Sequence, residues 1–157
     1  MLKQIKYGNA YPLWKMLWPG RDDIKPMSSM TDLHDWDMNI YEKYEPIFFG
    51  IYTDDTNELV AVNSCHPTSE TRMRSRGLYV KSEYTGNGLA QGLLQHTIDY
   101  SRNEGYEVLW SMPRLSALKS YTSVGFIEIG DHWSGEAWKS DGVPQTQTNA
   151  YAEIKLK

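Results

Sequence analysis

The chain has 157 residues, the size of one domain, and its 13% of aromatic residues argues against disorder. Its 16 Lys and Arg against 20 Asp and Glu give a net charge of −4, which disfavours a protein that binds the phosphate backbone of a nucleic acid. Its single cysteine, Cys65, cannot form an internal disulfide, and we find neither a secretory signal nor an apolar run of the roughly 20 residues of a membrane helix, so we expect a cytoplasmic protein that binds no membrane.

The first half of the chain predicts two helices followed by a run of strands. Apolar residues at spacings of three and four indicate the helices, and Pro19-Gly20 and Pro46 end them. Asp54–Asn57 is typical of the turn of a hairpin. In chain order, the predicted elements are a strand over Leu2–Tyr7, a helix over Tyr11–Trp18, a helix over Ser29–Tyr44, and strands over Ile47–Tyr52, Leu59–Asn63 and Thr71–Val80.

The second half predicts helices that alternate with strands. A long amphipathic helix begins at Gly86–Ala90 and is ended by Gly105. The elements after it are a strand over Val108–Trp110, a helix over Leu115–Val124, a strand over Phe126–Ile129, a polar loop over Asp131–Thr148 and a strand over Ala150–Leu156. Hairpin strands followed by crossover helices predict a single α/β (α+β) domain over residues 1–157, with a mixed sheet of about six to seven strands and helices on both faces.

The turn Gly86-Asn87-Gly88, between a strand and a helix, is typical of an anion site. The first N–H groups of a helix lack internal acceptors, and glycine lets a phosphate approach the backbone closely. A dinucleotide fingerprint requires its third glycine one residue before Gly92, and a P-loop requires lysine in place of Leu89. We therefore expect a phosphate or pyrophosphate site of another kind, with a purely structural turn as the alternative.

The segment around this turn resembles the acetyl-coenzyme A motif of the GNAT superfamily of N-acetyltransferases. Leu78-Tyr79-Val80 is followed after five residues by Gly86–Ala90 and then by Leu93-Leu94. Gly88 and Ala90 stand where the family has its glycine and its final Gly or Ala, and Thr85 stands where it has Gln or Arg. The resemblance implies a GNAT-like fold whose two central parallel strands splay apart, with acetyl-coenzyme A as co-substrate.

A second segment supports the resemblance. Tyr121–Phe126 resembles the family's Tyr-x-x-x-Gly-Phe segment, with Ala117 four residues before the tyrosine. The family often carries Asn at the position that Arg114 occupies here. The cofactor-binding residues implied by the two segments are Leu78, Tyr79, Val80, Thr85, Gly86, Asn87, Gly88, Leu89, Ala90, Arg114 and Tyr121.

The resemblance also implies the roles of these residues. The pantetheine arm pairs with main-chain groups near Leu78 and Val80, and the pyrophosphate rests on the N–H groups of Gly86–Ala90. The N–H of Leu78 or Tyr79 stabilises the oxyanion that develops on the thioester. Because domains of this family often form dimers, a homodimer is one partnership that the resemblance implies.

Direct acetyl transfer from a thioester needs a neutral amine, a polarised carbonyl and a proton for the thiolate. Tyr121 is the candidate acid, because its position matches the family's tyrosine. The base is left open between His66, Glu83, Glu70 and bulk water. We expect an enzyme that moves acetyl to a primary amine of a small molecule or peptide. The alternatives are a coenzyme A-binding module without catalysis and a nucleotide-binding regulator.

Several other groups have two interpretations each. Arg72, Arg74 and Arg76 share one strand face, and we favour a solvated sheet face or salt bridges to helix carboxylates over recognition of an acceptor carboxylate or phosphate. Cys65 and His66 point to opposite faces, which argues against a thiolate–imidazole pair.

We expect no metal site, because the spacing within His34-Asp35-Trp36-Asp37 matches no ligand pattern. The loop with Trp133 and Trp138 is either a wall of the acceptor pocket or an ordinary exposed loop. The segment Trp18–Met30 is a second candidate wall of that pocket.

Overall fold

A computed structural model describes the fold over residues 1–19, 45–140 and 143–157. We number its elements in chain order. They are β1 (Leu2–Ile5), α1 (Tyr7–Leu17), β2 (Ile47–Tyr52), β3 (Leu59–Pro67), β4 (Arg72–Val80), α2 (Leu89–Asn103), β5 (Val108–Ser111), α3 (Leu115–Ser123), β6 (Ile127–Glu128), β7 (Trp133–Ser140), β8 (Val143–Asn149) and β9 (Ala152–Lys155), with a 3-10 turn at Ser82–Tyr84.

The main sheet has seven strands in the order β1-β2-β3-β4-β5-β9-β6. Only β4 and β5 pair in parallel, whereas the other neighbouring strands are antiparallel. Since neighbouring residues of a strand face opposite sides, β3 shows which helix covers which face. Val62 packs with Trp14 of α1, and Ala61 packs with Leu93 of α2. The predicted mixed sheet with helices on both faces is confirmed.

Most predicted elements form within a few residues of their expected bounds, and two differ in instructive ways. Helix α1 begins at Tyr7, before the predicted start, and continues through Pro12. Gly8 and Pro12 disfavour a helix locally, but burial of Ala10 and Trp14 against the sheet outweighs that preference. The predicted helix over Ser29–Tyr44 lies outside the described residues.

The predicted polar loop over Asp131–Thr148 is wrong, because its backbone forms the hairpin of β7 and β8. These two strands pair with each other in a separate two-stranded sheet. A hairpin of this kind satisfies its backbone hydrogen bonds without an apolar face, so hydrophobic alternation gave no signal for it.

Strand β4 carries a bulge at its middle. Its register with β3 pairs Tyr79 with Val62 and Arg76 with Ser64, so two residues, Gly77 and Leu78, lie opposite Asn63 alone. Gly77 has a φ of +78°, in the left-handed region that favours glycine.

The bulge is held from the α1 side of the sheet. The Nε1–H of Trp14 donates to the carbonyl oxygen of Gly77 at 3.0 Å. A Cβ at Gly77 would lie 2.5 Å from the indole ring of Trp14, so only glycine fits between the bulge and this ring.

The parallel pair β4–β5 separates beside the bulge. Arg72, Met73 and Arg74 pair with Val108–Trp110, and the pairing ends there. Just beyond, the Oγ of Ser111 donates to the carbonyl oxygen of Ser75 at 2.8 Å, a side-chain bond in place of the next ladder bond. The remainder of β4 therefore faces a gap, as the expected splay requires.

The contact between Trp14 and Gly77 predicts a large loss of stability for Gly77→Ala. The substitution combines a strained positive φ with a clash against the indole, so we expect it to cost about 2–4 kcal/mol of unfolding free energy. Gly105 also has a positive φ, +90°, but no atom lies within 4 Å of a Cβ there. Gly105→Ala, the matched control, should cost about 1 kcal/mol. Urea unfolding measures both, and equal costs would contradict the role of Trp14.

Candidate active site

The gap between β4 and β5 opens into a cavity of about 120 Å³. Its walls come from the end of α1, the bulged half of β4, the segment after β5 and helix α3. The lining residues are Leu17, Trp18, Arg74, Arg76, Gly77, Leu78, Ser111, Met112, Pro113, Arg114, Ala117 and Tyr121.

Tyr121 is the tyrosine among the described residues that line the cavity. Its side chain is 2% exposed and packs edge-to-face against Phe126, with ring centroids 5.0 Å apart. Burial raises the pKa of Tyr121 above its usual value, although hydrogen bonds from Ser111 and Ser75 act in the opposite direction. The hydroxyl therefore keeps its proton at neutral pH, as a proton donor must.

A buried chain of polar groups lies behind the Tyr121 hydroxyl. The amide Nδ2 of Asn63 donates to Ser75 Oγ at 2.9 Å and to Thr97 Oγ1 at 3.0 Å. Ser75 Oγ lies 3.4 Å from the Tyr121 hydroxyl, and Ser111 Oγ lies 3.2 Å from it. The chain fixes the position of the phenol oxygen from the side that faces the core.

The protons of this chain are shared among several oxygens. Ser111 Oγ has a single proton and two acceptors within reach, the Ser75 carbonyl at 2.8 Å and the Tyr121 oxygen at 3.2 Å. Thr97 donates to the Leu93 carbonyl, and Asn63 uses both of its N–H groups on Ser75 and Thr97. Either oxygen can be the donor between Ser75 and Tyr121, so the phenol is held by two serine hydroxyls.

The glycine turn lies at the start of α2. Gly86 and Gly88 have φ values of +83° and +76°, and a Cβ at either would meet no atom within 4 Å. Between Gly86 and Gln91, within the described ranges, no backbone N–H donates to a backbone carbonyl. These groups and the positive end of the α2 dipole form a place for an anion.

Two side chains of the turn are occupied in holding it. Thr85 Oγ1 donates to the Ser82 carbonyl at 2.9 Å, and Asn87 Nδ2 donates to the Tyr84 carbonyl at 3.1 Å. An anion on this turn would therefore meet backbone N–H groups, while the Thr85 hydroxyl proton is used within the turn.

The edge of β4 that faces the gap offers main-chain groups. Lys81 N–H donates to the Val60 carbonyl, and Tyr79 pairs with Val62, so residues 79 and 81 turn their amides towards β3. In an antiparallel pair the residues between them turn their amides away. Leu78 and Val80 therefore face the gap. The suggestion that Tyr79 N–H stabilises an oxyanion is corrected, because this amide belongs to the β3 pairing.

The structure separates the three alternating arginines. Arg72 donates to the Tyr151 hydroxyl and pairs with Glu153 of β9, with 3.7 Å between Nη2 and Oε2. Arg74 and Arg76 line the cavity, and Arg74 is only 3% exposed. The expectation of a solvated face is therefore wrong for Arg74, and the ion pair of Arg72 is with a strand rather than a helix.

Arg114 joins them in the wall as the N-cap residue of α3. Its Nη2 lies 3.4 Å from the Leu17 carbonyl oxygen, to which it donates across the cavity mouth. Burial lowers the pKa of Arg114 from its usual value, and the group remains charged at neutral pH.

Neither side chain predicted as the base reaches the cavity. His66 is fully buried on β3 opposite Arg74, and its ring nitrogens have no hydrogen-bond partner in the part of the chain that the structure describes. Burial, with the charges of Arg74 and Arg76, holds its pKa well below the usual range. His66 is therefore a weak base out of reach of an acceptor, which corrects its proposed role.

Glu83 is an exposed residue of the 3-10 turn, outside the cavity wall. A hydrogen bond from Ser82 lowers its pKa, which makes the carboxylate a poorer base. Glu70 is exposed in the turn before β4, at the end of the strand away from the bulge. The geometry places both carboxylates outside the described cavity wall and removes them from the candidate bases.

The remaining candidates also have a place in the structure. Cys65 is buried, and burial raises the pKa of its thiol, so it holds no reactive thiolate. Trp133 is 39% exposed and outside the cavity wall, whereas Trp18 belongs to that wall. His34–Asp37 lies outside the described residues, as does 20–30 of the second candidate wall.

The described ranges contain neither a metal-binding cluster nor a membrane-spanning helix. Among those residues, no group of three or more His, Cys, Asp or Glu is placed to hold a metal ion. None of the helices there combines the length and the apolar character needed to span a bilayer.

Sequence reasoning missed Gly77, Trp14 and the polar chain of Asn63, Ser75 and Ser111. A glycine inside a strand pattern signals a bulge, so Gly77 carried a usable signal. Asn63 and Ser75 carried no such signal. Polar residues in a strand ordinarily face water, whereas these two are fully buried.

Comparison with known proteins gives one family. The model of the acetyltransferase (GNAT) family matches residues 10–126. N-acetyltransferase 8B of Rattus norvegicus is 24% identical over 86 residues, which are 53% of this chain and 39% of that protein. The chain thus spans well under half the length of this curated relative.

Solved structures share the fold at low identity. The IAA acetyltransferase from Bacillus cereus ATCC 14579 aligns with a TM-score of 0.68 and 12% identity over 99% of this chain and 98% of that one. A GNAT family acetyltransferase from Elizabethkingia anophelis with acetyl-CoA bound has a TM-score of 0.64 and 15% identity, over 99% and 97%. The ribosomal-protein-S18-alanine N-acetyltransferase from Escherichia coli has a TM-score of 0.61 and 16% identity, over 100% and 94%.

The polar chain behind Tyr121 predicts that Ser111→Ala is destabilising. It leaves the Ser75 carbonyl without its side-chain donor and the buried phenol with one partner fewer, at a cost of about 1–3 kcal/mol. Ser123, an exposed serine at the end of α3 that bonds only to the Ser120 carbonyl, is the control. Ser123→Ala should stay within about 0.5 kcal/mol of the parent. Urea unfolding measures the loss of unfolding free energy in each variant. Similar losses in both would contradict a stabilising role for the hydrogen bonds of Ser111.

Proposed function

The chain belongs to the acetyltransferase (GNAT) family, and from this premise we propose that it transfers acetyl from acetyl-coenzyme A directly to a primary amine of a small molecule or peptide. The observation that carries the proposal is the gap between β4 and β5, with the Tyr121 hydroxyl in its wall. The net charge of −4 supports a small-molecule or peptide acceptor over a nucleic acid.

The residues present fit acetyl-coenzyme A at two places. The N–H groups from Gly86 to Gln91 have no carbonyl acceptors within the described ranges, and they would hold the pyrophosphate. The gap-facing amides of Leu78 and Val80 would pair with the amides of the pantetheine arm, as a neighbouring strand does. The gap exists because β4 and β5 stop pairing at Arg74, so this edge is open to a ligand.

When bound, the co-substrate supplies an activated acetyl thioester. The chain orients the amine acceptor beside the gap and holds a proton on the Tyr121 oxygen for the departing thiolate. The amine must lose a proton, and among the candidates that the sequence offered bulk water is the acceptor proposed, because His66 and Glu83 lie outside the described cavity wall. The gap-facing N–H of Leu78 would donate to the thioester oxygen, and pairing with the pantetheine arm would then use the Leu78 carbonyl and the Val80 main chain.

A coenzyme A-binding module without catalysis is the alternative function. It is favoured by Thr85, whose hydroxyl is used within the turn, and by Arg114 in place of the family's frequent Asn. The phenol of Tyr121 in the cavity wall favours the enzyme.

We expect acetyl-coenzyme A to stabilise the protein. A ligand at 100 times its dissociation constant adds about 2.7 kcal/mol, which for this chain length raises Tm by about 5–10 °C. ATP, which lacks the pantetheine arm, should give a much smaller shift at equal concentration. Thermal unfolding with each ligand measures this, and an equal shift with ATP would favour a nucleotide-binding regulator.

A matched pair of glycine variants tests the turn in the same assay. Gly86→Ala places a methyl group on the open turn and should reduce the shift with acetyl-coenzyme A. Gly105→Ala introduces a similar backbone strain at another open glycine and should keep the shift. If both variants keep it, the turn does not hold the pyrophosphate.

Replacing the candidate acid separates the two proposed functions. Tyr121→Phe should lower kcat by about 100-fold or more while the affinity for acetyl-coenzyme A is kept. Tyr100→Phe is the control, because Tyr100 packs beside Phe49, outside the cavity wall. Thiol release in the presence of an amine reports turnover. An unchanged kcat would remove Tyr121 as the acid, and no thiol release by the parent with any amine would favour the binding module.

A further inference from the structure

A chain of buried hydrogen bonds links helix α2, which begins at the glycine turn, to the Tyr121 hydroxyl in the cavity wall. It runs from Thr97 of α2 through Asn63 of β3 and Ser75 of β4. We propose that Thr97 and Asn63 are positioning residues that fix the direction of these hydrogen bonds, so that the proton of Tyr121 is held towards the cavity. The inference rests on the proposed acetyl transfer, in which Tyr121 is the acid.

The direction of the chain begins at Thr97. Its hydroxyl donates to the Leu93 carbonyl oxygen at 2.8 Å, a bond to the preceding turn of the same helix. A hydroxyl has a single proton, so Thr97 Oγ1 can only accept a hydrogen bond from Asn63, whose amide lies 3.0 Å away. The atom of Asn63 that faces Thr97 is therefore the nitrogen Nδ2.

The Asn63 amide carries this direction to β4. Because both N–H groups belong to one nitrogen, Nδ2 also donates to Ser75 Oγ, at 2.9 Å. If the amide were turned over, Oδ1 would face Thr97, which has no proton left to give, and the bond to α2 would be lost. In the observed orientation the buried Oδ1 has no hydrogen-bond partner among the described residues, so two N–H bonds outweigh one unmet acceptor.

Ser75 is the member of the chain that contacts the phenol. Its proton cannot point at Asn63, because an amide nitrogen accepts no hydrogen bond. Among the described residues, the Tyr121 oxygen, 3.4 Å from Ser75 Oγ, is the acceptor that remains for it. A phenol oxygen that accepts from Ser75 directs its own proton to the other side, where Ser111 and the cavity lie.

The direction of the chain matters when the proton moves. Tyr121 gives its proton to the departing thiolate as the carbon–sulfur bond breaks, and it regains one from water, which has taken one from the amine. In between, the phenolate oxygen accepts from Ser75, and a hydrogen bond to a charged oxygen is stronger than one to a neutral oxygen. With the chain reversed, the phenol proton would point at Ser75 and would have to turn before its transfer.

Burial makes the chain sensitive to a change at its far end. Asn63, Ser75 and Thr97 are fully buried, and Tyr121 is 2% exposed. In surroundings of low dielectric, hydrogen-bonded groups polarise one another, and bulk water is out of reach to replace a lost partner. Loss of the acceptor at Thr97 should therefore reach Tyr121 through the chain.

The experiment changes Thr97, the member of the chain farthest from the phenol. Thr97→Val keeps the shape of the side chain and removes the hydroxyl, so the Asn63 amide loses the acceptor that orients it. Acetyl-coenzyme A is offered with ethanolamine, phenethylamine or a peptide with a free N-terminal amine, and thiol release gives kcat. We expect kcat to fall about tenfold, part of what a general acid contributes, while the Tm shift with acetyl-coenzyme A is kept.

Ser101→Ala is the matched control. Ser101 is also fully buried on α2, and its Oγ donates to the Thr97 carbonyl oxygen at 2.7 Å, outside the chain. Its loss removes a buried hydroxyl from the same helix and should leave kcat unchanged. Thr97→Ser, which keeps the hydroxyl and removes a methyl group, should retain most of kcat.

A double variant distinguishes positioning of the acid from a general structural effect. Added to Tyr121→Phe, Thr97→Val should cause little further loss of kcat, because both changes act on the same proton. Asn63→Ala takes the place of Thr97→Val if the latter does not fold, as judged by its Tm.

The direction of the bonds can also be measured without turnover, by NMR. The side-chain N–H signals of Asn63 are assigned by their loss in Asn63→Ala. They should show nuclear Overhauser contacts with side-chain protons of Ser75 and Thr97, and the contact with Ser75 should weaken in Thr97→Val.

Three results would overturn the inference. The first is an unchanged kcat in Thr97→Val and Asn63→Ala while Tyr121→Phe lowers it. The second is an equal fractional loss from Thr97→Val with and without Tyr121→Phe, or an equal loss in Ser101→Ala. The third is the absence of the Overhauser contacts. An unchanged kcat in Tyr121→Phe, or no turnover of any amine by the parent, would instead contradict the proposed function, and the positioning role with it.

Discussion

The contact between Trp14 and Gly77 is the interaction on which the site depends. The indole N–H bonds to the Gly77 carbonyl, and the ring fills the space that a side chain at this position would take. The bulge that it holds shifts the register of β4, so Arg76 and Tyr79 end on the α1 side while Leu78 and Val80 pack on the α2 side. Without the bulge, every residue after Arg76 would face the other way.

The same bulge lies where β4 and β5 separate. A regular parallel pair would bury its amides in hydrogen bonds, and no edge would remain for a ligand. Here the pairing ends at Arg74, and Ser111 covers only the next carbonyl of β4. The main-chain groups left facing the gap are open to hydrogen bonds with a ligand, which is the basis of the proposed pairing with a pantetheine arm. The bulge in β4 thus lies where two neighbouring strands of the sheet separate.

The buried polar groups around the cavity have two kinds of surroundings. Asn63 and Ser75 take part in a hydrogen-bonded chain that ends on the Tyr121 hydroxyl, so their burial positions a functional group. His66 is equally buried, and the nearby charges of Arg74 and Arg76 make its neutral form the stable one. Sequence alone keeps His66 among the candidate bases, because its intrinsic pKa is near neutrality. Burial and neighbouring charge remove it from them.

Much of the fold and the turn could be predicted from sequence because local signals specify them. A run of apolar residues marks β2, alternation of polar and apolar residues marks β9, glycines at 86, 88 and 105 mark the two ends of α2, and the motif around Tyr121 marks α3. Helix α1 and the polar hairpin of β7 and β8 differ from expectation, because burial against the sheet and strand pairing outweigh local preference there.

What the sequence by itself determined is the mixed sheet, the glycine turn at Gly86–Ala90 and the presence of a phenol at Tyr121. Only the tertiary structure decided which polar side chains share the cavity. Arg72, Arg74 and Arg76 are equivalent by alternation, yet the first pairs with β9 and the other two reach the cavity. The reason is that alternation specifies only the face of a strand on which a side chain lies. Whether that side chain also lies beside the gap depends on where β4 separates from β5, and contacts between residues far apart in the chain set that point.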